Sequence, residues 1–352
     1  MDNPERTAGG AHTGKMHVTP ADIARQDRIG SLLSFRRDHV AFGEYTDLEL
    51  AALIRSGEFV RVLRGAFMRT AQWTTLFPEE RLLARSLAVN RLTPENQWVL
   101  SHHSAAALWG LPMFGLRDTR VHVVSSPARP GKSTRVVRHS HLQLAAGEIV
   151  TIGEARVTSL ERTLVDLAHD APAEIAIGAI DAGARRLLNL KRAGDRLAVQ
   201  AWRTAQLGSL EQSRRAGVRR ARTIMGIADP RADSPAESVS RLQLHRLGVE
   251  YEIQVPVRLR GRTTAWMDFE FRGQEAFGEV DGVSKYTSAQ LRGSRTAEEV
   301  VLEEKLREDE VRGTTGKRVV RWSPRDIAQA RVLGARLQRF GLHVPGLARW
   351  AV

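Results

Sequence analysis

Apolar residues recur along this chain in two periods, and the switches between them mark out its elements. In "TPADIARQDRIGSLLSF", Ile23, Ile29, Leu32 and Leu33 fall on one helical face, with Thr19 placed to cap the helix and Pro20 at its first position. "TDLELAALIRSGEFVRVLRGAFMRT" then predicts a helix opening at Thr46 or Asp47 and stopping at Gly57, followed by two short strands, "FVRVL" and "AFM", on either side of Arg64-Gly65. Further on, "VLSHHSAAALWGLP" predicts a helix capped by Ser101 and ended by Gly110, "RVHVVSS" and "RVVRHSHL" read as strands, and Thr158 with Glu161 has capping-box spacing before "LVDLAHD". The last third alternates more regularly. Helix "SPAESVSRLQLHRLG", strands "YEIQVPVRLR", "TTAWMDFEF" and "EAFGEVDG", helix "TAEEVVLEEKLREDEVR", strand "KRVVRW" and a closing helix give α-β-β-β-α-β-α, an order that predicts a mixed sheet.

Length turns this pattern into domains. A chain of 352 residues exceeds one ordinary core, so a multidomain α+β or α/β protein is expected. Residues 1–18 have no apolar period and read as a disordered tail. Residues 19–74 form a helix, helix, basic hairpin unit, the outline of a winged helix, and 75–200 an α+β middle region. Residues 201–233 read as a basic helical connector broken by the two prolines of "IADPRADSP", and 234–352 as the C-terminal mixed sheet flanked by helices.

Charge then points to a partner. With 53 Lys+Arg against 40 Asp+Glu, the net charge is +13, which favours a polyanion. The absence of a spanning apolar run or an export leader predicts a cytoplasmic protein without a membrane partner, which leaves DNA as the expected polyanion. No cysteine is present, so disulfides, cysteine-ligated zinc and thiol nucleophiles are excluded. Arg55, Arg61, Arg64 and Arg69 are candidate phosphate contacts of the winged helix; the alternative is a small α+β unit with solvated arginines. Arg215, Arg219 and Arg222 recur at i, i+4 and i+7, which predicts either a positive stripe on one helix or a solvated connector. His102 and His103 are adjacent, and on a helix adjacent side chains cannot share one ion, so they read as structural.

The candidate chemistry lies in the last sheet. Asp268 on one strand, with Glu279 and Asp281 at the end of the next, can converge on one face as hard oxygen ligands for Mg²⁺ or Mn²⁺. Lys285 is then placed to orient a bound water or to stabilise phosphorane charge. Such a site requires the Asp268 and Glu279 carboxylates close together and without a neutralising arginine. The alternative is a pair of strand acids matched by arginine. Glu237 has two readings, a further ligand from the first helix or the glutamate of a capping box in Ser234-Pro235-Ala236-Glu237. The "EEKLRED" helix, with Lys305/Asp309 and Glu308/Arg312 at i, i+4, reads as a solvated salt-bridge face.

"MDFEF", "GEVDG", "KY", "EEKLRED" and "RVVRW", over about 234–328, resemble the PD-(D/E)XK nuclease superfamily, in particular the proteins related to very-short-patch-repair endonucleases. That resemblance implies a restriction-endonuclease-like fold and metal-dependent hydrolysis of DNA phosphodiesters. Asp268 and Glu279 would hold the metal, Asp281 would assist, and Lys285 would stand in for a family lysine whose usual place is taken by Asp281. "LIRSGEFVRVLRGAFM", "SHHSAAALWGLP" and "VTSLERTLVDLA", over about 19–170, resemble the AbiEi family of antitoxins. This second resemblance implies a DNA-binding transcriptional regulator with a cognate toxin. Two functions are therefore expected, a metal-dependent DNA endonuclease or a non-catalytic regulator with a degenerate nuclease fold.

Overall fold

The structure is a computed structural model, and it describes residues 17–41, 45–93, 98–125, 131–190, 195–260, 263–281 and 297–347. Apart from His17 and Val18, the tail read over 1–18 lies outside these residues, and so does Lys285.

The first helix, α1 (Pro20–Ser31), begins as its sequence predicts. The Thr19 hydroxyl accepts from the Asp22 amide, and the Asp22 carboxylate accepts from the Thr19 amide at 2.9 Å. Strand β1 (Ser34–Phe35) and helix α2 (Arg36–Ala41) follow, then α3 (Asp47–Arg55), whose capping box joins Thr46 and Glu49. The hairpin is β2 (Phe59–Leu63) and β3 (Ala66–Arg69), turned at Gly65, where φ is +87° and a side chain would be strained. The sheet is antiparallel in the order β1-β3-β2. Strand β1 and helix α2 carry too few residues to show a period, so no pattern along the chain marks them.

The middle region contains α4 (Thr70–Thr75), α5 (Pro78–Leu92), β4 (Trp98–Leu100), α6 (His102–Trp109), β5 (Val121–Ser125), β6 (Val137–Ser140), β7 (Ile149–Ile152), β8 (Ala155–Thr158), α7 (Leu160–Asp170) and α8 (Ala173–Leu187). Its five strands form one mixed sheet in the order β6-β5-β4-β8-β7. Helix α6 is buried along its whole length and closes at Gly110 in the left-handed region. Its Ser101 hydroxyl bonds the His102 ring instead of capping the helix. Ser159, not Thr158, caps α7, because the Thr158 hydroxyl turns inward to Thr163 at 2.8 Å.

Helices α9 (Arg196–Glu211) and α10 (Val218–Ile227) occupy the stretch read as a connector. Ala221, Ile224 and Met225 of α10 are buried in the same core as α7 and α8. The proline-bearing segment after α10 is also buried. Arg185 donates to the carbonyls of Pro230, Arg231 and Ala232 at 2.8 to 2.9 Å, which supplies the partners that a buried loop backbone needs.

The C-terminal unit has the predicted order: α11 (Pro235–Arg246), β9 (Tyr251–Arg258), β10 (Thr264–Phe271), β11 (Ala276–Val280), α12 (Ala297–Thr315), β12 (Arg318–Trp322) and α13 (Ala330–Arg339). The sheet runs β12-β11-β10-β9, antiparallel except for the β11/β12 pair, so the expected mixed sheet is present. One face packs Phe269, Phe271, Val320 and Trp322 against α11 and α13, and the Trp322 indole donates to the Ser240 hydroxyl at 2.8 Å. A Cβ at Gly278 would lie 2.3 Å from that indole, so only glycine fits there. On the other face, Phe277 packs with Val311 of α12. A core continuous from Ile29 to Leu342, with a buried Asp181–Arg241 pair between α8 and α11, joins this unit to the middle region. No helix among the described residues is long and apolar enough to cross a membrane.

Candidate nucleic-acid interface and acidic site

The hairpin unit exposes its cations. Arg55 ends α3, Arg61 lies on β2 and Arg64 stands at the turn; all three are exposed, and none has a hydrogen-bond or ion-pair partner among the described residues. Arg69 is exposed but engaged, 2.8 Å from Glu58 and over the Phe59 ring. The acids of α3 are also engaged, since Asp47 pairs with Arg36 at 2.6 Å and Glu49 closes the capping box. This face therefore offers uncompensated positive charge.

The stripe expected from Arg215, Arg219 and Arg222 is corrected. Gly217, at φ +77°, begins a new helix, so Arg215 lies in the turn before α10 and does not share its face. Its guanidinium pairs with buried Asp166 and with Asp170, beside His102. Asp170 is held below the ordinary carboxylate range: burial opposes this, but the His102 and Arg215 contacts outweigh it. Arg219 and Arg222 are exposed, with Arg222 3.5 Å from Glu211.

In the C-terminal sheet, the register Phe269↔Gly278 and Glu270↔Phe277 puts Asp268 opposite Glu279 one step further along. Directly opposed residues on antiparallel strands share a face, so these two acids lie on the α12 side as expected. Their electrostatic setting is not the expected one. Glu279 is 6 % exposed and meets two arginines, Arg307 of α12 at 2.7 Å and Arg321 of β12 at 2.8 Å, the latter without hydrogen-bond alignment. Arg321 also reaches Asp281 at 3.0 Å and Glu304 and Glu308 at 2.9 Å each. Burial works against the Arg321 charge, but Glu279, Glu304 and Asp281 together hold its pKa above the ordinary arginine value. The "EEKLRED" helix is thus more than a solvated face, because it delivers Arg307, Glu304 and Glu308 to this network. Asp268 Oδ2 accepts the Val280 amide at 2.9 Å.

Glu237 is corrected from ligand to cap. The Ser234 hydroxyl accepts from the Glu237 amide at 3.2 Å, and the Glu237 carboxylate accepts from the Asp233 amide at 2.9 Å and the Gln254 side chain at 2.8 Å. Its burial raises its pKa. Glu237, Asp268, Glu279 and Asp281 do not bring any three ligand atoms together among the described residues. The physical reason is local: Glu237 is turned to its own helix end, and Glu279 and Asp281 to arginine.

A different group does converge. His103 of α6, His122 of β5 and Asp118 in the loop before β5 each place one ligand atom within 4.8 Å of the others. Burial, with His102 nearby, lowers the His103 pKa to about 4, and burial, with His103 nearby, lowers that of His122 to about 3. Both imidazoles are therefore neutral. The sequence reading paired His103 with its neighbour His102, but the helix turns His102 to Ser101 and Asp170. His122, the histidine that does face His103, is 19 residues away on a strand, and no local spacing links the two.

No protein-family model matches the chain, and a search of curated proteins returned no match.

Proposed function

We propose that this is a duplex-DNA-binding protein whose N-terminal unit docks as a winged helix, with a C-terminal nuclease-like sheet that is held in an ion-paired, non-hydrolytic state. The observation that carries the binding half is the trio Arg55, Arg61 and Arg64, exposed around one helix end and one hairpin and without a partner among the described residues. The strand order β1-β3-β2 behind α3 supports it, since in a winged helix the helix before the hairpin enters the major groove and the hairpin lies on the backbone. The +13 net charge works in the same direction. The non-hydrolytic half rests on Glu279, whose two oxygens face Arg307 and Arg321 where a metal-dependent site needs them turned to a cation.

Affinity for duplex DNA should fall steeply with salt, by about 0.9 log unit per contacted phosphate per log unit of salt, and a flat dependence would remove the polyanion reading. A second reading, metal-dependent phosphodiester hydrolysis with Mg²⁺ or Mn²⁺ at Asp268 and Glu279, is favoured by their shared face. Incubation with either ion and single-stranded, duplex or mismatched DNA separates the two. The ion-paired reading expects no cleavage by folded, DNA-binding protein, and cleavage abolished by Glu279→Ala would replace it with the second.

A further inference from the structure

The three ligand atoms of the His103, Asp118 and His122 cluster are arranged in an unusual way for hydrogen bonding. His103 Nδ1 lies 3.4 Å from His122 Nε2, and His122 Nε2 lies 3.3 Å from Asp118 Oδ2. Both separations are long for hydrogen bonds to nitrogen, whose usual length is about 2.9–3.0 Å. They match the edges of a coordination tetrahedron: donors about 2.0–2.1 Å from a tetrahedral Zn²⁺ lie roughly 3.3–3.4 Å from one another. A neutral imidazole carries one proton on one of its two nitrogens, so each ring can turn a lone pair to this point while its other nitrogen holds the proton.

Burial removes water as an alternative partner for these lone pairs, since His103 and His122 are both buried. The supporting contacts hold the set in place. Arg120 pairs with the carboxylate, its Nε 2.9 Å from Asp118 Oδ1 and its Nη2 2.7 Å from Oδ2, so a cation would share Oδ2 with that guanidinium and depend on the two imidazoles, which Glu279 lacks, for its other protein ligands. The His122 amide donates to the Ser104 hydroxyl at 2.9 Å, which fixes β5 against α6. Outer contacts of this kind orient ligands in metal sites. The Asp118 side chain keeps 24 % exposure, which leaves an entry path from solvent.

We propose that His103, His122 and Asp118 bind one borderline divalent cation of the Zn²⁺ class, with a water in the remaining position. Two imidazoles and one carboxylate suit Zn²⁺ better than Mg²⁺, which demands near-octahedral oxygen ligands. The ion would tie α6 to β5 of the middle sheet. This site shares no residue with the hairpin arginines or the C-terminal acids, so it stands or falls independently of the proposed function.

The test is Co²⁺ titration of the full-length chain, prepared without a histidine tag and stripped with chelator, followed by Zn²⁺ competition. One Co²⁺ per chain with the intense visible bands of tetrahedral coordination, displaced by one Zn²⁺, is the expected result. Asp118→Asn and His122→Gln should each weaken the apparent affinity by about 100-fold or more, above the range seen for loss of a supporting contact. His139→Gln, outside the cluster, should leave it unchanged. Asp118 lies partly in solvent, so its variant keeps the test available if His122→Gln does not fold. A wild-type titration without stoichiometric uptake, or uptake that survives Asp118→Asn undiminished, overturns the proposal.

Discussion

The hairpin and the C-terminal sheet use the same side chain in opposite ways. Arg55, Arg61 and Arg64 are exposed and meet no carboxylate among the described residues, whereas Arg307 and Arg321 are drawn onto Glu279, Asp281, Glu304 and Glu308. A phosphate backbone sees the first group as a cationic surface. It sees the second as a nearly neutral network whose positive charge is already spent. Net charge therefore overstates the reach of this protein's arginines, and the relevant quantity is which of them lack a carboxylate. Arg215, paired with Asp166 and Asp170, belongs with the spent group even though its sequence neighbours Arg219 and Arg222 are exposed.

The contrast can be broken most forcibly at Arg321. Arg321→Ala leaves Arg307 as the one arginine on the buried Glu279 among the described residues and removes a shared partner of Asp281, Glu304 and Glu308, and removing one partner of a buried pair costs about 3–5 kcal/mol. Urea unfolding should show a loss of that size; a loss under about 1 kcal/mol, within the range of exposed pairs, would mean that the network carries little energy.

Arg215 should come next. Arg215→Ala leaves Arg162 as the one arginine on the fully buried Asp166 among the described residues, and a buried acceptor deprived of a partner costs about 1–3 kcal/mol, read by the same unfolding experiment. The effect should depend on pH through Asp170. Its folded-state pKa is depressed, so its contribution is present above the unfolded value of about 3.9 and is lost as pH falls through the folded one. Wild-type protein should therefore lose stability more steeply below about pH 4 than Asp170→Asn. Parallel pH profiles would show that Asp170 is not held by His102 and Arg215.

A smaller effect separates stability from charge on the hairpin side. Thr46→Ala removes the cap of α3 and should cost about 1 kcal/mol. Thermal unfolding should register it, while the salt slope of DNA binding stays unchanged, because no phosphate contact is lost. A changed slope would mean that α3 positions the arginines less rigidly than its capping box suggests.

Much of the fold was legible because the relevant signals are local. Thr19/Asp22 and Thr46/Glu49 announce two helices by capping chemistry, and "FVRVL" and "RVVRW" coincide with observed strands. The mixed C-terminal sheet followed from element order alone. Two errors were local as well: Arg215 looked helical at i, i+4 spacing until Gly217 broke the helix, and Thr158 looked like a cap until its hydroxyl turned to Thr163, five residues on. The acidic site was half legible. Asp268 and Glu279 do share a sheet face, but Arg307 and Arg321 arrive from a helix and a strand that sequence spacing cannot place. His122 escaped for the same reason, since its partners are tertiary.

DNA binding by the hairpin unit turns on Arg55, Arg61 and Arg64, which have no partner among the described residues, and one comparison decides it. Duplex-DNA affinity of wild type and of the triple variant Arg55→Ala, Arg61→Ala, Arg64→Ala should be measured across a range of salt concentrations, with both proteins shown to be equally folded. If each arginine neutralises one phosphate, the variant's log–log slope should be shallower by about 2.7, three contacts at about 0.9 each. Equal slopes would place the DNA contact elsewhere and contradict the assignment of the hairpin unit as the binding surface.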